Sequence, residues 1–216
     1  MANERKICVI LGSAPVEGDC IPEDLCAKDA YLICADGGVD TAARLGLHPD
    51  LIVGDFDSLE GELPQDVETI RLPVEKDETD LLYGVKEGFR RGYNQFVLLG
   101  ALGGPRFDHS IASLCVLSYI ADRGGRGVLA DGRTRVFVLS SGRLVFTDLK
   151  GSTLSVFPFG GDTCRVTYKG LQYPLLDYTL QLNDALGVSN SIVEDRAEVL
   201  LHQGRALVIL LEAEAP

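Results

Sequence analysis

Leu51-Ile52-Val53-Gly54-Asp55-Phe56-Asp57-Ser58 is the stretch on which the reading of the fold turns. A run of three large aliphatics reads as a strand covered on both faces, and it ends at once in glycine and carboxylates. The same arrangement recurs on either side. Upstream, Tyr31-Leu32-Ile33-Cys34-Ala35 runs into Asp36-Gly37-Gly38. Downstream, a short strand-like run at 67–71 is followed by Lys76-Asp77-Glu78-Thr79-Asp80. A further run at 95–100 leads into Ala101-Leu102-Gly103-Gly104-Pro105-Arg106-Phe107-Asp108-His109. Strands are also expected at 6–12, 127–131 and Thr134–Leu139. Between them, Leu81, Leu82, Val85 and Phe89 recur at helical spacing behind Thr79 and Asp80, which are placed to cap a helix. Ile111, Leu114, Cys115 and Ser118 suit a second helix, ended by Gly124-Gly125. The alternation predicts an α/β domain with a mostly parallel open sheet flanked by helices.

Beyond Leu139 the texture changes. Short alternating segments at 144–147, 153–157, 164–168, 198–201 and 207–211 are punctuated by Gly142, Gly151, Gly160-Gly161, Gly170, Gly187 and Gly204. Turn signals at intervals of about 8–12 residues suggest a small antiparallel sandwich or barrel. The expected organisation is therefore an α/β domain over 1–140 and a smaller β-sandwich over 141–216.

Composition narrows the partners. The chain has 216 residues, 46% hydrophobic and 24% charged, enough to bury a core. Lys plus Arg number 20 against 32 Asp plus Glu, a net charge of −12 that argues against nucleic acid as a partner. No apolar stretch approaches the roughly 20 residues that span a bilayer, so no membrane role is expected. The opening run is too brief for a signal-peptide core. The six cysteines form no CxxC pair, and Cys8, Cys34 and Cys115 sit in apolar segments as small hydrophobes. A reduced, cytoplasmic protein is the simplest expectation.

The chemistry is carried by acidic residues at successive strand ends. Open α/β sheets bind ligands beyond the carboxyl ends of their strands. Asp55 and Asp57, two apart, would point the same way on an extended chain. With Asp80, or with Asp36 or Asp77, they form a hard oxygen set suited to Mg²⁺ bridging phosphates. Any one such motif is ordinary turn or cap chemistry; four at successive strand ends point to a site. In the glycine-rich segment, Gly103 and Gly104 free backbone N–H groups for a phosphate ahead of a helix. Arg106 can clamp phosphate oxygens. Asp108 can hold a ribose hydroxyl, a metal-bound water or a neighbouring arginine. His109 reads as a helix-capping residue or as a nucleotide contact.

Taken in order, these strings, with Gly170-Leu171-Gln172-Tyr173-Pro174-Leu175 and Gly187-Val188-Ser189-Asn190, resemble the thiamine pyrophosphokinase (thiamine diphosphokinase) family. The resemblance spans nearly the whole chain. One departure is Pro105, interposed before Arg106, which removes an N–H from the loop. The resemblance implies an N-terminal catalytic domain that binds ATP and Mg²⁺, and a C-terminal β-sandwich that helps bind thiamine. It also implies a homodimer with active sites at the subunit interface. The implied reaction is ATP plus thiamine giving AMP plus thiamine diphosphate. By motif match, Asp55, Asp57 and Asp80 would be metal ligands, with Asp77 and Asp36 nearby. Gly103, Gly104, Arg106, Asp108 and His109 would face ATP, and Ser189 and Asn190 thiamine. Asp80 and Asp77 are candidates for the base that accepts the hydroxyl proton. The chain has no Trp, so another side chain must cover the thiamine ring. Two other readings compete: a metal-dependent nucleotidyl or glycosyl transferase built on Asp55-Phe56-Asp57, and a thiamine- or nucleotide-binding sensor without turnover.

Overall fold

The computed structural model describes residues 7–16, 30–56 and 63–214. Two compact units divide between Gly132 and Arg133.

In the first unit the elements run β1 (Ile7–Leu11), β2 (Tyr31–Ala35), α1 (Gly38–Arg44), β3 (Leu51–Gly54), β4 (Glu68–Arg71), α2 (Asp80–Arg90), β5 (Gln95–Leu99), α3 (Phe107–Asp122) and β6 (Arg126–Asp131). The six strands form a parallel array in the order β6-β5-β1-β2-β3-β4. Residues Leu51, Ile52 and Val53 are wholly buried. At about 1.5–3 kcal/mol per buried aliphatic side chain, such strands fix themselves in the centre of a covered sheet. β4 is the exception: three of its four residues are exposed, as an edge strand allows.

Helix α2 begins where the sequence predicts. Thr79 is its N-cap and accepts a hydrogen bond from the Leu82 N–H at 3.2 Å. Gly84 and Gly88, one turn apart, let α2 lie close on the sheet. A Cβ at Gly88 would come within 2.5 Å of the Phe96 ring and 3.2 Å of Cys8 Sγ. This close seating sets where Asp80, the first residue of α2, stands relative to the strand ends. Gly124, at φ 71°, follows the end of α3 in the left-handed conformation expected of a C-terminal glycine.

The second unit is all-β: β7 (Thr134–Leu139), β8 (Gly142–Thr147), β9 (Thr153–Pro158), β10 (Thr163–Lys169), β11 (Tyr178–Gln181), β12 (Asn190–Ser191), β13 (Arg196–Gln203) and β14 (Ala206–Leu211). Its strands pair antiparallel as β12-β9-β14-β7 and β11-β10-β13-β8. A common core includes Leu154, Val156 and Val208 from one sheet, and Val166, Tyr168 and Val199 from the other. β7, the Thr134–Leu139 run, pairs antiparallel with β14.

Candidate active site

A cleft opens at the carboxyl ends of β1, β2 and β5, lined by Gly12, Ser13, Asp36, Asp80, Gly103 and His109 among others. It lies where the strand order reverses, between β1 and β5, the crevice in which open α/β sheets take ligands. Asp36 leaves β2 with φ 49°, and its N–H donates to the Val53 carbonyl at 2.8 Å. Aspartate is among the few residues that adopt this left-handed backbone readily.

Asp55 follows β3, and the next residue, Phe56, is held at φ 60°. That conformation is costly for a bulky side chain and concentrates at functional sites. The Arg71 guanidinium stands over the Phe56 ring at 5.2 Å and donates to the Asp55 carbonyl at 3.4 Å, bracing the turn. The backbone at Phe56 is therefore not extended. Asp57 and Ser58 lie outside the described residues.

The next string supplies the counter-charge. Lys76 Nζ donates to Asp55 Oδ2 at 2.6 Å and stands 3.0 Å from Asp80 Oδ1. The Lys76, Asp55 and Asp80 side chains are only 13%, 12% and 19% exposed. Burial works against the Lys76 charge, but its interactions with the Asp55 and Asp80 carboxylates outweigh it and hold its pKa above the ordinary lysine value. Asp80 Oδ1 is shut off from solvent yet lacks a well-directed donor, since the lysine approaches it off the hydrogen-bond direction. Asp77 is exposed.

The glycine-rich loop and the start of α3 form the opposite wall. Gly103 and Gly104 stand at φ 69° and 74°, both in the region that favours glycine. Arg106 precedes α3 without a side-chain cap, so the first N–H groups of the helix have no side-chain acceptor there. Arg106 and Asp108 pair with each other: Nη2 donates to Oδ2 at 2.5 Å and Nε to Oδ1 at 3.3 Å, in solvent. Hydrogen bonding from Arg106 holds the Asp108 carboxyl below its usual range. His109 is not a cap; it lies inside α3, and it lines the cleft.

In the second unit Asn190 is 7% exposed, with its carboxamide engaged by Tyr173. Its Oδ1 accepts from the Tyr173 N–H at 3.0 Å, and its Nδ2 donates to the Tyr173 carbonyl at 2.7 Å. Tyr173 itself is 64% exposed. Ser189, at φ 57°, donates its N–H to Ser155 Oγ at 3.0 Å and is itself exposed.

Among the described residues no three His, Cys, Asp or Glu side chains converge as a metal cluster. The donor set nevertheless fits a hard cation. Carboxylate oxygens from Asp55 and Asp80 meet at one point, a lysine ammonium stands there as a cation, and one buried oxygen lacks a well-directed donor. Carboxylate oxygens of this kind suit magnesium rather than softer metals.

Comparison with known proteins identifies the frame. Residues 22–127 match the family model described as thiamin pyrophosphokinase, catalytic domain, and residues 143–205 the one described as thiamin pyrophosphokinase, vitamin B1 binding domain. The chain belongs to the thiamin pyrophosphokinase family. It is 24% identical over 221 residues to thiamin pyrophosphokinase 1 of Caenorhabditis elegans, covering 96% of this chain and 89% of that one. With thiamine pyrophosphokinase of Bacillus subtilis it shares 25% identity over 183 residues, 82% and 85% of the two chains. The crystal structure of the Bacillus subtilis protein superposes with a TM-score of 0.83 at 22% identity, over 97% of this chain and 100% of that one. That of Candida albicans thiamin pyrophosphokinase gives 0.75 at 17% identity, over 98% and 90%. The family's two domain models fall one in each compact unit.

Against this thiamin pyrophosphokinase frame, the structure brings Asp36, Asp80, Gly103 and His109 to one cleft and joins Asp55 to Asp80 through Lys76. Sequence reading gives no role to Ser13 or Ala14, which also line the cleft. The signal was present, since Gly12-Ser13 follows β1 just as Asp36 follows β2. Lys76 carries no role in the sequence reading, because spacing along the chain cannot show which carboxylates an ammonium reaches.

Proposed function

We propose that the chain is a thiamine diphosphokinase that transfers the pyrophosphoryl group of ATP to the hydroxyl of thiamine, giving AMP and thiamine diphosphate. The observation that carries this reading is the cleft at the β1/β5 switch point, where Asp80, bridged to Asp55 through Lys76, lines the same space as Gly103 of the glycine-rich loop, in a chain matched by both thiamin pyrophosphokinase domain models. The first unit takes ATP and Mg²⁺, and the second, with the 141–216 region at its heart, takes thiamine.

Asp55 and Asp80 hold Mg²⁺, with Asp57 as the third carboxylate and Asp36 and Asp77 at the edge of the acidic group. When bound, Mg²⁺ neutralises the charge of the triphosphate. Gly103 and Gly104 bring backbone N–H groups to the phosphates, and Arg106 turns from Asp108 to a phosphate oxygen while Asp108 and His109 face the nucleoside. The thiamine hydroxyl oxygen attacks the β-phosphorus in line, the bond from that phosphorus to the α,β-bridging oxygen breaks, and AMP leaves. Such transfers depend on positioning and charge more than on covalent catalysis. Asp77, exposed and outside the Lys76 bridge, is better placed than Asp80 to take the hydroxyl proton, because a cation-bound carboxylate is a poor base.

In the second unit Ser189 presents its hydroxyl to the pyrimidine of thiamine. Asn190 holds the Tyr173 backbone, leaving the ring of exposed Tyr173 free to cover the thiamine ring. The acidic site attracts the thiazolium cation. The enzyme works as a homodimer in the cytoplasm, with its active sites at the subunit interface. Among the described residues no helix is long and apolar enough to cross a membrane.

Asp55→Asn and Asp80→Asn test the assignment. Each is expected to lower kcat by about 100-fold or more with the fold retained by circular dichroism. Unchanged turnover in both variants would remove the metal from this cleft.

A further inference from the structure

Lys76 occupies the position between the two carboxylates that a metal ion would share. Its ammonium is within 3.0 Å of oxygens from both Asp55, just after β3, and Asp80, the first residue of α2, and all three side chains are at least four-fifths buried. Two carboxylates this close need a cation between them, and the lysine supplies it. A divalent ion seeking the same oxygens meets a like charge already in place. An ammonium and a divalent ion about 3 Å apart in a poorly solvated pocket repel strongly, so both cannot hold these oxygens together. The lysine stem is flexible, which permits departure without unfolding the turn.

We infer that Lys76 is a resident counter-cation that competes with the metal for Asp55 and Asp80. It holds the acidic site together in the empty enzyme and keeps bare divalent ions out. The metal then enters with its nucleotide, whose phosphates accept the displaced ammonium. This inference rests on the proposed metal role of Asp55 and Asp80.

The test uses Mn²⁺ alone, titrated into the nucleotide-free full-length protein and followed by the electron paramagnetic resonance of the free ion. Lys76→Met should bind Mn²⁺ about tenfold more tightly than wild type, and Lys76→Arg no more tightly than wild type. The gain should vanish in Lys76→Met/Asp55→Asn. Thermal denaturation gives a second reading: Lys76→Met should be destabilised without metal and recover with Mn²⁺, a recovery that a purely structural lysine would not produce. Equal or weaker binding by Lys76→Met overturns the inference, as does a gain that survives Asp55→Asn. If Lys76→Met folds only with Mn²⁺, the inference stands. If Lys76→Met and Lys76→Gln both stay unfolded with Mn²⁺, Lys76 is a structural bridge and the inference falls. Neither ATP nor thiamine enters this test, so failure to make thiamine diphosphate would overturn the functional reading and leave the metal competition intact.

Discussion

Asn190 engages both polar groups of a single backbone residue, accepting from the Tyr173 N–H at 3.0 Å and donating to its carbonyl at 2.7 Å. A buried carboxamide engaged this way acts as a strut for the loop that carries Tyr173. Its Oδ1 also accepts from the Ser191 N–H at 3.0 Å, which ties the strut to β12. Asn190→Ala would leave several backbone groups without partners, at a cost of about 2 kcal/mol in chemical denaturation. Asn190→Asp would set a carboxylate against the Tyr173 carbonyl and cost more. Both variants should raise KM for thiamine while leaving KM for ATP unchanged. A normal thiamine KM in a destabilised Asn190→Ala would separate the strut from the thiamine site.

Arg106 and Asp108 satisfy each other in solvent, so their pairing is available for exchange with a ligand. Arg106→Ala should leave the melting temperature unchanged and raise KM for ATP by about tenfold or more, the loss of one charge-assisted hydrogen bond. Steady-state kinetics at saturating thiamine reads this directly. An unaltered KM would confine the pair to the surface.

Helix α1 starts directly beneath the end of β1. A Cβ added at Gly38 would lie 1.9 Å from the Leu11 carbonyl oxygen, a backbone atom that cannot rotate away. Gly38→Ala should therefore cost about 3 kcal/mol or more and disturb the Asp36 turn beside it. Gly103, by contrast, has open space around it but φ 69°. Gly103→Ala should cost only about 1 kcal/mol, the left-handed penalty, while lowering affinity for ATP. Comparable losses of stability in the two variants would contradict the close approach at Gly38.

Burial pushes the thiols of Cys8 and Cys34 up to about 12 and that of Cys164 to about 11. Each is thus neutral in the fold well above the pH at which an unfolded thiol ionises. Their contribution to stability is complete below about pH 9 and is lost as pH rises from there toward 11–12. Melting temperature should fall across that window, and Cys34→Ala, though less stable throughout, should show a shallower fall. Alkylation at pH 8 with peptide mapping should label exposed Cys115 well before Cys8, Cys34 or Cys164. Rapid labelling of Cys34 in folded protein would contradict its burial.

Much of this architecture is legible in the chain because its strands are continuous aliphatic runs. Tyr31–Ala35 and Leu51–Gly54 can be little else, and the carboxylates that follow them mark the ligand edge. The α2 start is legible because Thr79 caps it chemically as well as by position. What the sequence withholds is tertiary in origin. β12 has only two residues, and three of the four in β11 are exposed, so neither carries a periodic signal. Cys115 sits in an apolar string but faces outward on α3, since helix phase rather than local composition decides exposure. The backbone at Phe56 is not extended, and nothing in a Phe predicts φ 60°. Lys76 stands in a string read for its acids, and only the fold shows that it closes them.

The central claim is the transfer of a pyrophosphoryl group, and product analysis tests it most directly. Purified protein is incubated with ATP, Mg²⁺ and thiamine, and nucleotides and thiamine species are separated by chromatography. AMP and thiamine diphosphate formed in equal amounts, only when thiamine and metal are both present, is the expected result. ADP with thiamine monophosphate, or thiamine binding without any turnover, would contradict it.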